Sequence, residues 1–496
     1  MVVDPLIALG GYDLHWWHVA IAAVVGAAAL VAGYFAWRRW LWPSISKWAR
    51  WQQVAAAGAV VLAIAGAAYA IYQGTDRPED VTNTDVSFKP PKHKKKPQVV
   101  KTDDWPVYGY DDERTRYLPT TRVKPPFKPS DWSFQAGVLL EFSPIIVGDH
   151  LYFQDKNALL RSLDAKTGRV EWKHKIGGLA ASSPAYQKGR LFAVTLAPGD
   201  IQAMNPKNGK VLWEKDLPAR SETSPVVTGN KVIVGDEGGS VYAFDVKDGH
   251  LIWSIHTAGP VKGGVAIHNG VAFFGNYAGE LYAVRTSNGS VKWQTGTQGS
   301  SFGRTGRIYS TPAVAYGRVY VGSVDNRVYS FDEDTGELAW SQSTGYWVYS
   351  APAVAAVPGS PPTVYIGSLD KTFYAMDART GAIRWKHYVG GVMIGAPSVV
   401  GNVVYVGVIG PNNGTIGYDA DNGHQVFRHE LGEYNPVISD GERLYITGSA
   451  NIRAFAPLTK ADRQRRRQRL KEQEQKREKR AEKRADKQGA GNGGSG

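Results

Sequence analysis

Between residues 132 and 455 apolar residues come in short runs, alternating with polar ones, and a turn signal follows each run. Such a pattern predicts many short β-strands joined by tight turns. One cycle reads as a strand near Ser-Pro, a turn, and a strand ending in Val-Tyr-Val-Gly. A second turn and a strand of the Val-Tyr-Ala-Phe-Asp type follow. An Asp-x-x-Thr-Gly turn then leads into a strand carrying Trp. Asp377-Ala-Arg-Thr-Gly381-Ala-Ile-Arg-Trp385 is the clearest copy. The Gly-to-aromatic spacing of four recurs throughout. The aromatics stand at Trp132, Trp172, Trp213, Trp253, Trp293, Trp340, Trp385 and Phe427, separated by 40, 41, 40, 40, 47, 45 and 42 residues.

A period of about 40 residues built from four short strands predicts the blade of a β-propeller. The Gly supplies positive φ at a tight turn, and the Asp side chain can bond the backbone two residues on. A flat indole can wedge between blades and cover the turn of the next one, so the Trp residues report how the chain folds and not what it does. Trp132 has no Asp–Gly turn before it, and the last repeat stops after three strands at Phe455. The strand at Asp131-Trp-Ser-Phe-Gln therefore completes the C-terminal blade and closes an eight-bladed ring without an unpaired edge.

Outside the repeats the pattern changes. Residues 16–37 and 54–72 are uncharged Ala/Val-rich runs with aromatic rims, read as a two-helix transmembrane hairpin within an anchor of residues 1–72. The loop between them carries Arg38, Arg39, Lys47 and Arg50 and no acid. It should stay in the cytoplasm, placing the propeller outside the cell membrane. Lys89, Lys92 and Lys94 to Lys96, beyond the second run, pull the other way but lie farther from it. No basic region precedes the first run, which speaks against a cleavable signal peptide. Residues 73–104, with their Lys/Pro stretch, read as a tether. The propeller spans 105–457, and 458–496 is a basic tail, helical where Glu and Arg/Lys alternate at three- and four-residue spacing.

The 496 residues carry a net charge of +13, but Lys460 to Lys487 hold 14 Lys/Arg against 6 Asp/Glu, so the tail alone supplies +8. There is no cysteine, which excludes disulfides, thiol nucleophiles, Cys-ligated zinc and a lipidated Cys anchor. No nucleophile triad, zinc motif or phosphate loop appears. Gly-Asp-Glu-Gly-Gly at 235–239 is a turn between strands.

The repeat Ala-Met-Asp-Ala-Arg-Thr-Gly-Ala-Ile-Arg-Trp, with Tyr-Ile-Gly-Ser upstream, resembles that of the pyrroloquinoline quinone (PQQ) type propellers. Trp105-Pro-Val-Tyr-Gly-Tyr-Asp resembles the segment preceding their first blade. That family includes quinoprotein alcohol dehydrogenases and the outer-membrane assembly lipoprotein of Gram-negative bacteria. The resemblance implies the fold over about 105–457 and leaves activity open. A dehydrogenase would need calcium held by carboxylates, such as Glu141, Glu222 and Glu433, and an Asp base near the quinone. The vicinal Cys pair of the soluble enzymes is missing here, and the repeats are compact.

In a propeller the first strand of each blade lines the hub. The position three before each Pro, or its equivalent, gives a ring of Glu141, Ala181, Glu222, Lys262, Tyr309, Tyr349, Ile394 and Glu433. The enlarged loop 295–308 should lean over the same mouth, bringing Phe302, Arg304 and Arg307, with Trp347 and Tyr434 adding aromatic surface. This predicts a polar, aromatic face suited to a protein or an anionic envelope polymer. The expected protein is a membrane-anchored, extracytoplasmic, non-catalytic scaffold with no catalytic residue, metal or cofactor. The alternative is a PQQ-dependent membrane dehydrogenase oxidising alcohols or sugars. A third arrangement keeps the propeller in the cytoplasm with the tail on nucleic acid. The sequence assigns no oligomeric state.

Overall fold

Among the described residues eight sheets follow one another along the chain, each with an antiparallel core of four strands as the alternation predicts. The structure is a computed structural model. It describes residues 50, 52, 78–90, 104–120, 122–128, 132–299, 306–411, 413–465, 467–469, 471–472, 475–476 and 479. Blade 1 takes Ile145–Val147, His150–Gln154, Leu159–Asp164 and Val170–Lys175. Blades 2 to 4 run from Ala185–Gln187 to Val211–Asp216, from Val226–Thr228 to Leu251–His256, and from Ala266–His268 to Val291–Gly296. Blades 5 to 7 run from Ala313–Ala315 to Leu338–Ser343, from Ala353–Ala355 to Ile383–Tyr388, and from Ser398–Val400 to Gln425–His429. Blade 8 is composite. Ile438–Ser439, Leu444–Thr447 and Asn451–Phe455 take Ser133–Gln135 as their outer strand, in the register Ser133↔Arg453, Phe134↔Ile452 and Gln135↔Asn451. The eight-bladed all-β ring with terminal strand closure is as the sequence predicts.

The blades are locked at their turns. The Asp164 carboxylate accepts from the Thr167 N–H at 2.7 Å and the Lys166 N–H at 3.1 Å, which shapes the turn ending at Gly168. The indole of the preceding blade then lies on that glycine. A Cβ at Gly168 would come within 2.5 Å of the Trp132 ring, and the same holds at about the same distance for Gly209 on Trp172, Gly249 on Trp213, Gly336 on Trp293 and Gly381 on Trp340. The indole N–H of six of these Trp donates into the same turn, for example Trp132 to Ala165 O at 3.0 Å, Trp253 to Thr286 O at 2.8 Å and Trp340 to Ala378 O at 3.0 Å, whereas Trp385, on Gly423, finds no acceptor. Trp132 belongs to blade 8 and Gly168 to blade 1, so this contact shuts the ring.

Residues 104–120 do something the sequence did not disclose. Trp105 exchanges backbone bonds with Ile146, and Tyr186 N–H donates to Pro106 O. Ile267, Val314, Val354 and Val399 donate to the carbonyls of Asp112, Glu113, Thr115 and Arg116. Tyr117–Leu118 adds a parallel strand against Ser398–Val400. A short segment bonded to the inner strands of blades 1, 2, 4, 5, 6 and 7 must cross the axis they surround. Arg114 completes it, fully buried, donating to Val265 O at 2.9 Å and to Ser224 and Pro225 O at 3.1 Å on blades 4 and 3. Burial pushes its guanidinium down to about 9, helped by the like charge of Arg116, so it remains charged at neutral pH and neutralises carbonyls that water cannot reach.

The tether expectation needs correcting for residues 78–90. Val81–Thr82 pairs with Ser341 and Trp340 as a fifth strand on the outer edge of blade 5. Val86 is buried, Arg318 donates to the carbonyls of Val86 and Ser87, and Asp80 pairs with Arg327 at 2.9 Å. The Lys/Pro composition predicts solvation, but Asp80, Val81, Val86 and Ser87 dock before it, and Lys89 at its start donates its N–H to Tyr316 O and pairs with Asp334 at 3.0 Å. The apolar runs 16–37 and 54–72 lie outside the described residues. Among the described residues no helix is long and apolar enough to cross a membrane. The tail begins at Thr459, whose hydroxyl donates to Asp462 at 2.6 Å and accepts from its N–H at 3.2 Å. That is a reciprocal cap, and the described residues from Lys460 to 479 are helical.

The lock gives a paired prediction. Gly381 has φ +78° and lies 2.7 Å, as a Cβ, from the Trp340 ring, whereas Gly359 has φ +86° with nothing within 4 Å. Gly359→Ala should cost about 1 kcal/mol, the left-handed backbone alone, and Gly381→Ala about 2–4 kcal/mol, because overpacking adds to it. Urea unfolding midpoints of the two variants measure the difference, and equal losses would mean that the indole–glycine contact locks nothing.

Candidate binding face at the hub

The crossing segment bonds two residues after the prolines of the inner strands, and the predicted ring lies three before them, at the other end of those strands. Tyr108 rises from the segment to meet Phe142 edge-on at 5.8 Å, and Arg116 lies 5.2 Å over its ring. One side of the hub is thus spanned by the chain itself. The other carries the predicted residues.

On blades 3 to 6 the structure joins most of them. Lys262 Nζ sits 3.0 Å from Glu222 and 2.9 Å from Glu237, and Arg220 is 2.9 Å from Glu237. Burial pushes the Glu222 carboxyl above its usual value despite Lys262. Burial acts upward on Glu237 too, but hydrogen bonding and charge from Lys262 outweigh it and hold that carboxyl below the usual range. Burial pulls Lys262 downward and the two carboxylates more than reverse it. Lys262 is therefore held as an ammonium, unable to act as base or nucleophile near neutral pH. Tyr277 receives both Lys262, at 5.8 Å, and Arg307, at 5.7 Å, over its ring. From there aromatic contacts run Tyr277 to Tyr309 at 6.2 Å, Tyr309 to Tyr349 at 5.4 Å, Tyr349 to Trp347 at 5.9 Å, and Trp347 stacked on Tyr346 at 5.1 Å. The Tyr309 phenol is pushed well above its ordinary value by burial, then by the charges of Glu222 and Glu141.

Glu141, Glu433 and Tyr434 lie on the far side, leading into the inner strands of blades 1 and 8. Burial, then Glu433 and Glu141, raise the Tyr434 phenol, and Asn413 donates to Glu433 at 3.3 Å. Phe302 and Arg304 lie outside the described residues. Among the described residues Glu141, Glu222 and Glu433 do not converge as metal ligands. The group spaced to do so is Asp245, Asp248 and His250, at an exposed turn on the rim.

Sequence reasoning missed Tyr277 and Glu237, which tie Lys262 and Arg307 into the face. Both stand two residues after the glycine that ends their blade's second strand, Gly275 and Gly235. The turns between second and third strands reach the same mouth, so this repeat position was a usable signal alongside the one before the prolines. Lys262→Met removes the cation between Glu222 and Glu237. Stability should fall by about 2–4 kcal/mol near neutral pH, the scale of breaking a buried pair. Both carboxyl pKa values then rise in the folded state. The deficit is largest above the carboxylate range and shrinks as pH falls toward the unfolded-state value, because the folded variant takes up a proton there. Denaturation at pH 7.5 and pH 4.5 checks the sign, and a deficit independent of pH would refute the shared-ammonium arrangement.

Residues 121–263, 239–360 and 348–454 match the family described as outer membrane protein assembly factor BamB. Similar proteins include BamB of Burkholderia pseudomallei, 32% identical over 126 residues, covering 25% of this chain and 32% of that protein. The 1-butanol dehydrogenase (cytochrome c) of Thauera butanivorans is 26% identical over 157 residues, covering 27% and 23%. The chain thus spans a third or less of the length of these curated relatives. Among solved structures, BamB from Moraxella catarrhalis superposes with a TM-score of 0.56 at 17% identity, over 67% of this chain and 100% of that one. The quinohemoprotein alcohol dehydrogenase of Pseudomonas putida gives 0.62 at 15% identity, over 71% and 80%. These two likenesses concern the fold. With matches running through nearly every blade, the chain belongs to the family of PQQ-type repeat propellers described as outer membrane protein assembly factor BamB.

Proposed function

We propose that this protein is a non-catalytic scaffold of the cell envelope that docks a protein partner on the open face of the hub. The observation that carries the reading is the arc from Lys262 through Tyr277, Tyr309 and Tyr349 to Tyr346, opposite a side spanned by residues 104–120. Aromatic residues flanked by paired charges suit a protein interface, where rings supply buried area and charges set orientation. The family match supports it, since relatives by that description are assembly factors. The runs 16–37 and 54–72 would anchor the chain in the membrane with the propeller outside. The basic tail would add salt-sensitive attachment to anionic lipid or wall polymer.

Dehydrogenases are also relatives, and the alternative of PQQ-dependent oxidation follows from them. The donor set at the hub fits poorly. A quinone–calcium site needs carboxylate oxygens converging on one cation, and here the Lys262 ammonium occupies the place between Glu222 and Glu237. No step is derived through that cofactor.

Tyr346 is exposed at the end of the arc. A photo-crosslinking residue there, in intact cells, should trap one protein partner that a probe at exposed Leu251 on the rim of blade 3 does not. Identical products from both positions would remove the hub face as the docking surface. Added PQQ and calcium should give neither cofactor uptake nor dye reduction with alcohols or sugars, and turnover would replace the scaffold reading with the enzyme. Protease applied to intact cells should cut the propeller, and protection until lysis would reverse the proposed orientation.

A further inference from the structure

Away from the hub, where the capped tail helix leaves blade 8, a cleft of about 760 Å³ lies between the helix and the outer strand of blade 7. Its volume falls in the range of small-ligand sites. The floor is aromatic. Phe127 meets Phe427 edge-on at 5.4 Å and Phe455 at 6.5 Å. The walls are cationic. Arg428 and Arg453 come from the last two blades, and Arg465 and Arg469 come from the helix, one turn apart and so on one face. Lys128 joins them. The one acid in the lining, Asp462, is already engaged by the Thr459 cap and by Lys128 at 3.6 Å.

Two details suit an anion at this place. The Arg453 Nε is buried without a hydrogen-bond partner, an orphaned donor that needs an acceptor. Burial, then the charge of Arg453, pushes the His429 imidazole below its usual value, as expected in a positive field. A solvated charged face does not bring four guanidinium groups around one aromatic floor. Guanidinium forks match the oxygens of a phosphate, which offers several strong acceptors at once.

We propose that this rim cleft is a binding site for a phosphate ester, its phosphate held by Arg453, Arg465 and Arg469 and its organic part resting on Phe127, Phe427 and Phe455. The phosphate can belong to a lipid headgroup or to a soluble molecule. The site is separate from the hub face and stands or falls without it.

Calorimetric titration of the full chain in non-ionic detergent at low salt tests the site with inorganic pyrophosphate, glycerol 3-phosphate and dihexanoyl phosphatidylglycerol. Arg465 and Arg469 are exposed, so R465Q/R469Q leaves the fold intact. It should weaken binding of these anions by about tenfold or more. K476Q/K479Q removes the same charge from the same helix beyond the cleft and should change binding by less than about twofold. Phosphatidylglycerol binding at least about tenfold tighter than glycerol 3-phosphate assigns the site to a lipid headgroup, and comparable affinity assigns it to a soluble ester. Equal losses in the two double variants would mean diffuse attraction to the tail. That result, or no binding of any of the three probes, overturns the proposal.

Discussion

The ring depends on one contact repeated between neighbours: the indole of one blade laid on the glycine of the next blade's turn, with its N–H bonded into that turn. The glycine does two things there. It takes the positive φ that closes the turn, and it leaves the space the ring fills. Because each contact reaches forward by one blade, no blade is complete alone, and stability is shared among neighbours as in other repeat architectures. At the seam the roles are kept although the chain is not continuous. Trp132, from the strand that completes blade 8, lies on Gly168 of blade 1. Phe427, facing a blade with no such turn, packs instead on Phe127 and Phe455.

A ring of eight blades leaves an axis lined by inner-strand backbone, and each buried polar group there needs a partner. Residues 104–120 answer this by lying across the axis and accepting bonds from blade after blade. Arg114 takes carbonyls of blades 3 and 4, and Arg116 takes that of Pro352 on blade 6. With that side of the hub spanned, the exposed hub surface is the opposite one, and its character is set by Lys262, held charged between two carboxylates, and by the arc of rings beside it. Both features suit the docking role proposed for this face. A lysine held protonated neither abstracts protons nor attacks, and carboxylates spent on it do not gather a metal.

The rim is organised by a different logic. Residues 78–90 cover the edge of blade 5, and the tail helix springs from blade 8 behind a reciprocal cap. The segments flanking the propeller thus leave it from fixed points on its circumference, apart from the hub face. The proposed docking face and the proposed anion site therefore use different surfaces.

How much of this was legible follows from which interactions are local. Alternation, the Asp–Gly turn and the spacing of four to the aromatic are properties of ten consecutive residues, so the strands, the eight blades and even the borrowed strand at Trp132 could be read directly. The mouth residues Glu222, Lys262, Tyr309 and Tyr349 were found because they share a repeat position. Tyr277 and Glu237 share another, which in the sequence reads only as a turn. What the sequence did not contain was pairing between segments that follow no period. Val81–Thr82 meets a strand some 260 residues away, and Arg114 meets a carbonyl 151 residues on. Arg453 and Arg465 look like unrelated charges until the chain turns at Thr459. Local pattern determined the wheel. Only the closed tertiary structure decided what crosses its hub, what covers its edge and which charges face one another, because those contacts depend on where distant segments come to lie.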